Sequence, residues 1–516
     1  MMDSDQGLSS VGLRKRTLKP LELRRTVERE CAKTANGETT AEEEPLTPAA
    51  RLFQLPSVNC CIIVAIGLKT EINIGEGIKW LEQTLFKHPR FTSKVVVDDK
   101  KGGEKRWVQT AIDLDYHIIT PDLDPNMNSG DQFVEDYMLD MTKTPMDLSR
   151  PPWELHVLNV KTSDANSVIV FRIHHSAGDG ASLMSFLLAC TRQLSNPEAL
   201  PTLPTMKKRM ASSGSWGNWP FFFAIWWIFR LIWNTFVDVV LFVATVLFLK
   251  DTQTPIKGPP GVGRTPKRFV HLTVSLDDRK LVKNAMNMTI NDVLLGVTQA
   301  GLSRYLNRRY CEDAKHGGAT EKKNNLPKNI RLRSAVVFNL RPSAGIQDLA
   351  DMMEKGSKVK WGNTIGYVVL PFNISLPNNP LDYIHQARAI IDRKKSSLEA
   401  ICTLGLVLKT LGVKIAAALS LRALSNTTCL FSNVVGPKEE VSFLGHPVAY
   451  IAPSIYGLPH ALTIHFQSYV NKMTICVAVD EGVVPDPHRL CDDFGESLKL
   501  IKNAAIERGL VKNGAY

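Results

Sequence analysis

The sequence predicts an α/β protein of two domains. Three observations carry that prediction. Strand-like and helix-like patterns alternate along the chain, two stretches of similar element composition flank a linker, and 516 residues are too many for one ordinary core.

Taken in order, residues 1–44 are polar and charged, with basic clusters Arg14-Lys15-Arg16 and Arg24-Arg25, and read as a disordered tail. Order is expected from Pro45-Leu46-Thr47-Pro48. The apolar, β-branched stretch 58–68 is a buried strand; a helix over 75–87 and strands at 92–98 and 106–111 follow. An amphipathic helix fits 131–143. Residues 153–160 and 167–174 read as neighbouring core strands, with a helix over 181–194 behind them. These elements make a first domain over 45–200.

Residues 201–265 form a linker that contains the most apolar part of the chain, 220–249. That part exceeds the roughly 20 residues needed to cross a bilayer as a helix. Trp216, Trp219, Trp226 and Trp227 gather at one end, as an interfacial belt does. Arg230, Asn234 and Asp238 fall four apart and share one helical face, which suits a helix at an interface or packed on protein. Lys207-Lys208-Arg209 before it, and Lys250, Lys257, Arg264, Lys267 and Arg268 after it, put both ends on the cytoplasmic side by the positive-inside rule.

A second domain is expected over 266–510. Its strands fall at 269–274, 334–339, 364–370, 428–435, 447–453, 461–469 and 473–479. Its helices fall at 276–287, 291–308, 380–397, 403–423 and 487–506.

Composition narrows the class. The chain is 44% hydrophobic and 22% charged, as globular proteins are. Nine cysteines without a C-x-x-C pair point to a reducing compartment, and the polar start predicts no secretory signal peptide. A net charge of +11 suits an anionic substrate or an anionic surface. Nucleic acid is disfavoured: there is no zinc-ligand spacing, basic recognition helix or interleaved aromatic–basic stripe.

The chemistry centres on His174-His175-Ser176-Ala177-Gly178-Asp179-Gly180, at a strand end. A neutral imidazole takes a proton from a hydroxyl as that hydroxyl attacks a carbonyl. Asp179 either orients a neighbour or fixes the turn through a buried ion pair, and Gly178 and Gly180 permit close backbone approach. A metal site is one competing reading; no third histidine or carboxylate lies at helical ligand spacing nearby. A structural histidine pair without chemistry is the other.

This motif resembles the His-His-x-x-x-Asp-Gly signature of acyl-CoA-dependent acyltransferases with a chloramphenicol-acetyltransferase-like fold. More narrowly, the chain is similar to the plant-type wax ester synthase/diacylglycerol acyltransferase family. Leu46-Thr47-Pro48-Ala49-Ala50-Arg51-Leu52-Phe53 resembles that family's opening, followed by His88-Pro89-Arg90-Phe91. Pro151-Pro152-Trp153-Glu154 is similar to its Pro-Leu-Trp motif, with Pro152 in place of leucine. Asn291-Asp292-Val293 and Ser432-Asn433-Val434-Val435-Gly436-Pro437 match two later motifs.

The resemblance implies two chloramphenicol-acetyltransferase-like domains, each a mixed sheet with flanking helices, and an active-site channel at their interface. It implies His175 as general base with His174 supporting, and neither a metal, a cofactor nor an acyl-enzyme. Acyl-CoA is the co-substrate; a long-chain fatty alcohol or diacylglycerol is the acceptor. Asp179 takes a structural role with Arg341 as a candidate partner. Ser432, Asn433 and Asn291 are candidates for oxyanion or substrate contacts, against ordinary turn and helix-cap roles. Gly180 supports the motif, and Trp153 is a core or channel wall.

If both halves build one site, a single crossing at 220–249 would separate them across the bilayer. The expectation is therefore a monotopic enzyme on a membrane lipid surface, with the helix near 403–420 as a second contact. The cytosolic face of the endoplasmic reticulum is the expected location, with plasma membrane or another endomembrane as alternatives. Two functional alternatives stay open. One is an acyltransferase for phenolic or terpenoid alcohols, although the Asp-Phe-Gly-Trp-Gly motif of that family is absent. The other is a non-catalytic lipid-binding protein of the same fold.

Overall fold

The computed structural model describes residues 44–98, 103–123, 127–204, 219–313, 320, 322–340, 361–399, 401–405, 410 and 412–511. The expected tail, Lys207-Lys208-Arg209, Trp216 and Arg341 lie outside them. Thr47 caps α1 (Pro48–Phe53), its hydroxyl accepting the Ala50 amide with Pro48 in the first turn.

The first half contributes β1 (Cys61–Leu68), α2 (Ile74–Gln83), α3 (Gly130–Lys143), β2 (Trp153–Leu158), β3 (Ser167–His174) and α4 (Gly180–Ala189). β2 and β3 are buried along their whole length, and their polar residues are buried with partners: Arg172 of β3 pairs with Glu154 of β2 at 3.1 Å. After the long helix α5 (Trp219–Leu247) come β4 (Arg268–Ser275), α6 (Leu276–Ala285), α7 (Ile290–Asp313), β5 (Leu332–Asn339), β6 (Ile365–Phe372) and α8 (Asp382–Lys395). The chain ends with α9 (Gly412–Ser425), β7 (Cys429–Val434), β8 (His446–Tyr456), β9 (Leu462–Tyr469), β10 (Lys472–Val479) and α10 (Pro487–Glu507).

A six-stranded mixed sheet runs β6-β5-β7-β9-β10-β4. A seven-stranded sheet runs Ile118–Ile119, β2, β3, β1, β8, Val441–Phe443, Arg192–Gln193. The second sheet departs from the expected division at 266–510. β8 and Val441–Phe443 come from the later half yet complete the sheet of the first, with Tyr456 of β8 opposite Cys61 of β1. Without β8, the apolar strand β1 would be an open edge. Two element ends moved for related reasons. The helix expected over 181–194 stops at Ala189, because Arg192 and Gln193 pair with Ser442 and Val441. In the span of the helix expected over 403–423, a π-helical turn covers Ile401–Gly405 and α9 starts at Gly412, with φ 78°; residues 406–409 and 411 lie outside those described.

Each half has its own apolar core, and a third cluster joins them. There Phe53 and Ile62 meet Tyr367, Ala417 and Leu430, with Phe242 and Val246 of α5 packed alongside. α5 is two-sided. Asp238 is buried and ion-pairs with Arg393 at 2.6 Å and Lys394 at 3.0 Å. Thr235 accepts the Leu398 amide, and Thr245 accepts Arg333. From Ile232 onward the opposite side exposes Ile232, Phe236, Val240, Val243 and Leu247, spaced three or four apart, whereas residues 224–230 are exposed all round, Ile225, Trp226, Trp227, Ile228 and Phe229 among them. Leu398, Ile401 and Ile415 add exposed apolar surface from neighbouring segments.

Candidate active site

β3 delivers His174 to its end, and the chain turns there because Asp179 stops it. The Asp179 carboxylate accepts the Ser182 amide at 2.9 Å, capping α4, and accepts the Thr364 amide at 2.9 Å from the other half. A side chain at Gly178 would be tight: a Cβ would sit 3.3 Å from both Ser182 and Trp361. Gly180 differs from expectation, since a Cβ there meets nothing; it is an exposed first-turn residue of α4.

Four consecutive residues of the second half clamp this turn. Trp361 Nε1 donates to the Ala177 carbonyl at 2.7 Å, and the Gly362 carbonyl accepts Ser182 Oγ at 3.0 Å. Gly362 has φ 120°, open only to glycine. Asn363 Nδ2 donates to the His175 carbonyl at 2.9 Å, and Thr364 supplies the amide on Asp179. With Nδ2 so committed, Asn363 Oδ1 faces His175 Nδ1 at 3.2 Å. A carbonyl oxygen only accepts, so Nδ1 carries the proton and Nε2 keeps its lone pair. No hydrogen bond involves His175 Nε2 among the described residues.

The His175 ring stacks on Phe53 at 4.1 Å and lines a cavity of about 720 Å³, counting its open mouth. Its other walls come from α1, β5, β6, α9, β7 and β8, together with Val58, Cys60 and Leu458, and are apolar apart from Tyr367 and Ser420. Burial lowers the His175 pKa, against smaller raising effects from Asp179 and Asn363, so the neutral form dominates near pH 7. His174 is wholly buried behind it. Its Nδ1 lies 2.7 Å from Ser176 Oγ, which in turn accepts Gln54 Nε2 at 2.9 Å. Burial and the neighbouring His175 push the His174 pKa down to about 3.

Comparison with known proteins follows this geometry. The wax ester synthase/diacylglycerol acyltransferase catalytic domain matches residues 69–294, and the WS/DGAT C-terminal domain matches 361–502. Wax ester synthase/diacylglycerol acyltransferase 11 of Arabidopsis thaliana is 53% identical over 91% of this chain and 97% of its own length. Wax ester synthase/diacylglycerol acyltransferase 4 of the same plant is 51% identical over 92% of each. The chain belongs to the wax ester synthase/diacylglycerol acyltransferase family. Among solved structures, the family's enzyme from Marinobacter aquaeolei VT8 superposes with a TM-score of 0.56 over 90% of this chain and 99% of that one, at 17% identity. The first condensation domain of the calcium-dependent antibiotic synthetase gives 0.52 over 90% of this chain and 96% of that one, at 12% identity. Both show the expected two-domain, chloramphenicol-acetyltransferase-like fold. As a family member the protein is an O-acyltransferase that uses acyl-CoA.

The family's later motifs divide on the two faces of β7. Leu430 faces the His175 cavity and Phe431 the core beneath α7, so alternation puts Ser432 on the cavity side and Asn433 on the other. Asn433 Nδ2 donates to Asn291 Oδ1 at 2.7 Å, and neither lines the cavity. Asp292 belongs to a helix cap: it accepts the Thr289 amide at 2.7 Å while its own amide donates to Thr289 Oγ1 at 3.2 Å. Gly436 leaves no space for a side chain against Ser468 and Gln467. Trp153 is core and does not line the cavity; its Nε1 donates to the Phe91 carbonyl at 2.8 Å and its ring stacks on His117. Among the described residues no group of three or more His, Cys, Asp or Glu is placed to hold a metal ion.

Asn363 is the residue that the sequence did not offer. It lies in a Trp-Gly-Asn-Thr turn with no periodicity, and its role depends on His175, 188 positions earlier.

Proposed function

We propose that this enzyme esterifies long-chain fatty alcohols, with diacylglycerol as a second acceptor, and that His175 is its general base. One observation carries the reading: an imidazole held by Asn363 in the Nδ1–H tautomer heads a cavity whose walls are almost wholly apolar. The relatives' names give both acceptors.

In this mechanism the acceptor hydroxyl binds at Nε2. Its proton passes to Nε2 as its oxygen attacks the thioester carbonyl of acyl-CoA. The tetrahedral oxyanion collapses, the C–S bond breaks, and the departing thiolate takes the proton back from Nε2. Asn363 accepts from Nδ1 throughout, and Asp179 favours the transient imidazolium. We assign the oxyanion donor to Ser432, which alternation puts on the cavity side of β7 although it is not itself a lining residue.

The site is fed from a lipid surface. The exposed apolar stripe of α5, with Leu398, Ile401 and Ile415, is the face that rests in one leaflet. Cytosolic acyl-CoA and a membrane-resident acceptor then meet at the cytosolic face of the endoplasmic reticulum, or of another endomembrane or the plasma membrane. The test is ester formation from labelled palmitoyl-CoA with hexadecanol or diacylglycerol in microsomes, beside His175→Ala. Wax ester made by wild type and lost in the variant supports the reading; no product with either acceptor overturns it.

A further inference from the structure

A groove of about 980 Å³, counting its open side, runs beside the C-terminal half of α5. One wall is apolar, formed by Leu241 and Leu249 with Val369 and Pro371 of β6, the edge strand of its sheet. The other wall is basic: Arg331 and Arg333 near the start of β5, and Arg393 and Lys394 at the end of α8.

Carboxylates balance part of this charge, Glu399 from the groove wall and Asp238 and Asp251 from behind it. Asp251 holds Arg333 at 2.6 Å, while Asp238 and Glu399 hold Lys394. Arg331 has no carboxylate partner among the described residues; its guanidinium donates to the Lys250 carbonyl at 3.3 Å. Arg393 gives one nitrogen to Asp238, and its side chain is 35% exposed. Arg331, Arg393 and the exposed Lys250 thus keep donors and positive charge at the solvent edge. Beside them the α5 stripe ends in Leu247 and Phe248, 59% and 70% exposed.

We infer that this groove seats the phosphate of an anionic phospholipid whose acyl chains lie with the α5 stripe in the same leaflet. The inference rests on the membrane-facing reading of α5 and adds the lipid class and its seat. Charge complementarity carries it. Guanidinium groups pair with phosphate oxygens in a fixed fork, and interfacial helices bind through apolar area plus attraction to anionic lipid. A free phosphate would engage the cations but leave the apolar wall and the stripe bare; a lipid engages all three.

Co-sedimentation of the full-length protein with vesicles tests this, using phosphatidylcholine alone and phosphatidylcholine with phosphatidic acid at four to one. Wild type should bind both, and the anionic vesicles more tightly at low salt. Arg331→Gln with Arg393→Gln should lose about fivefold per cation on anionic vesicles and nothing on phosphatidylcholine. Arg331→Gln alone, at an exposed side chain, should lose about fivefold without disturbing the Asp238 pair. Lys79→Gln with Lys499→Gln, on α2 and α10, should lose nothing; an equal loss there assigns the effect to net charge and overturns the inference. Equal wild-type binding to the two vesicles, or an anionic preference that survives in the double variant, also overturns it. Binding to neither vesicle is a different failure, because it removes the membrane-facing reading of α5 as well.

Discussion

Burial holds the His175 imidazole below its ordinary pKa of 6.5, so the acid limb of kcat/KM should lie below pH 6.5. Asn363→Asp puts a carboxylate against Nδ1 and should move that limb upward. Asn363→Ala leaves the base but not its tautomer, and should lower kcat by roughly 100-fold with little change in KM. A merely structural role for Asn363 would leave the pH profile where it was. Stability has to be followed in parallel, since burial pushes His88, His174 and His460 to about 3 and His465 to about 4. Such groups take up protons in the unfolded chain first. They cost stability as pH falls from 6.5 towards 3, by about 1.4 kcal/mol per pH unit each. Activity recovered on return to pH 7 separates titration of the base from unfolding. At this scale the sequence points to the proposed base but not to what orients it. His175 stands in a motif, whereas Asn363 becomes meaningful only when two chain segments far apart are brought together. The Asn291–Asn433 hydrogen bond is similar: both residues stood in motifs, and nothing in either said they were each other's partner. Asn291→Ala and Asn433→Ala should therefore have equal effects on kcat/KM, and the double variant no more than either one. Additive losses would mean that each touches substrate separately.

The helix α5 shows what a pattern reveals about an element and what it conceals. Its length and apolar composition were plain in the sequence, and so was the four-residue spacing of Arg230, Asn234 and Asp238. Which side faces protein was not, because the partners of Asp238 are the last turn of α8, more than 150 residues onward. The flanking cations have partners of their own that the sequence does not show. Lys257 is spent on the Ser425 and Thr427 carbonyls, Lys267 is buried, and Arg268 pairs with Glu135, Asp136 and Glu481. Lys250 stays exposed at the helix end, and the groove's other open cations, Arg331 and Arg393, come from elsewhere in the chain. Asp238→Ala should loosen α5 from the body by about 3–5 kcal/mol, because Arg393 loses its carboxylate and Lys394 keeps only Glu399. Urea unfolding in detergent reads that loss. The His174-to-Asp179 turn is untouched by this change, so residual folded protein should keep its kcat.

At the scale of the whole molecule, the placement of β8 decides the topology. The sequence reading divides the chain at the linker into domains over 45–200 and 266–510, each with its own sheet. The sheet contradicts that division, since β1 and β3 precede α5 and β8 follows it, yet β3, β1 and β8 are hydrogen-bonded neighbours. The chain before α5 is tied to the later half again where the Thr202 amide meets Glu439, and the chain after it where Asp251 meets Arg333. A helix whose two flanks join one sheet cannot leave them on opposite sides of a bilayer. Two outcomes follow for the protein in sealed microsomes. Protease added outside should reach tags at both termini equally, and protection of the C-terminal tag alone would return α5 to a single crossing. Cutting the chain within 205–218 should give fragments that do not fold apart, because the earlier one lacks β8 and the later one lacks β1. Expressed together they should reassemble with activity, and an earlier fragment that is soluble and monomeric alone would show that β8 is dispensable to that sheet.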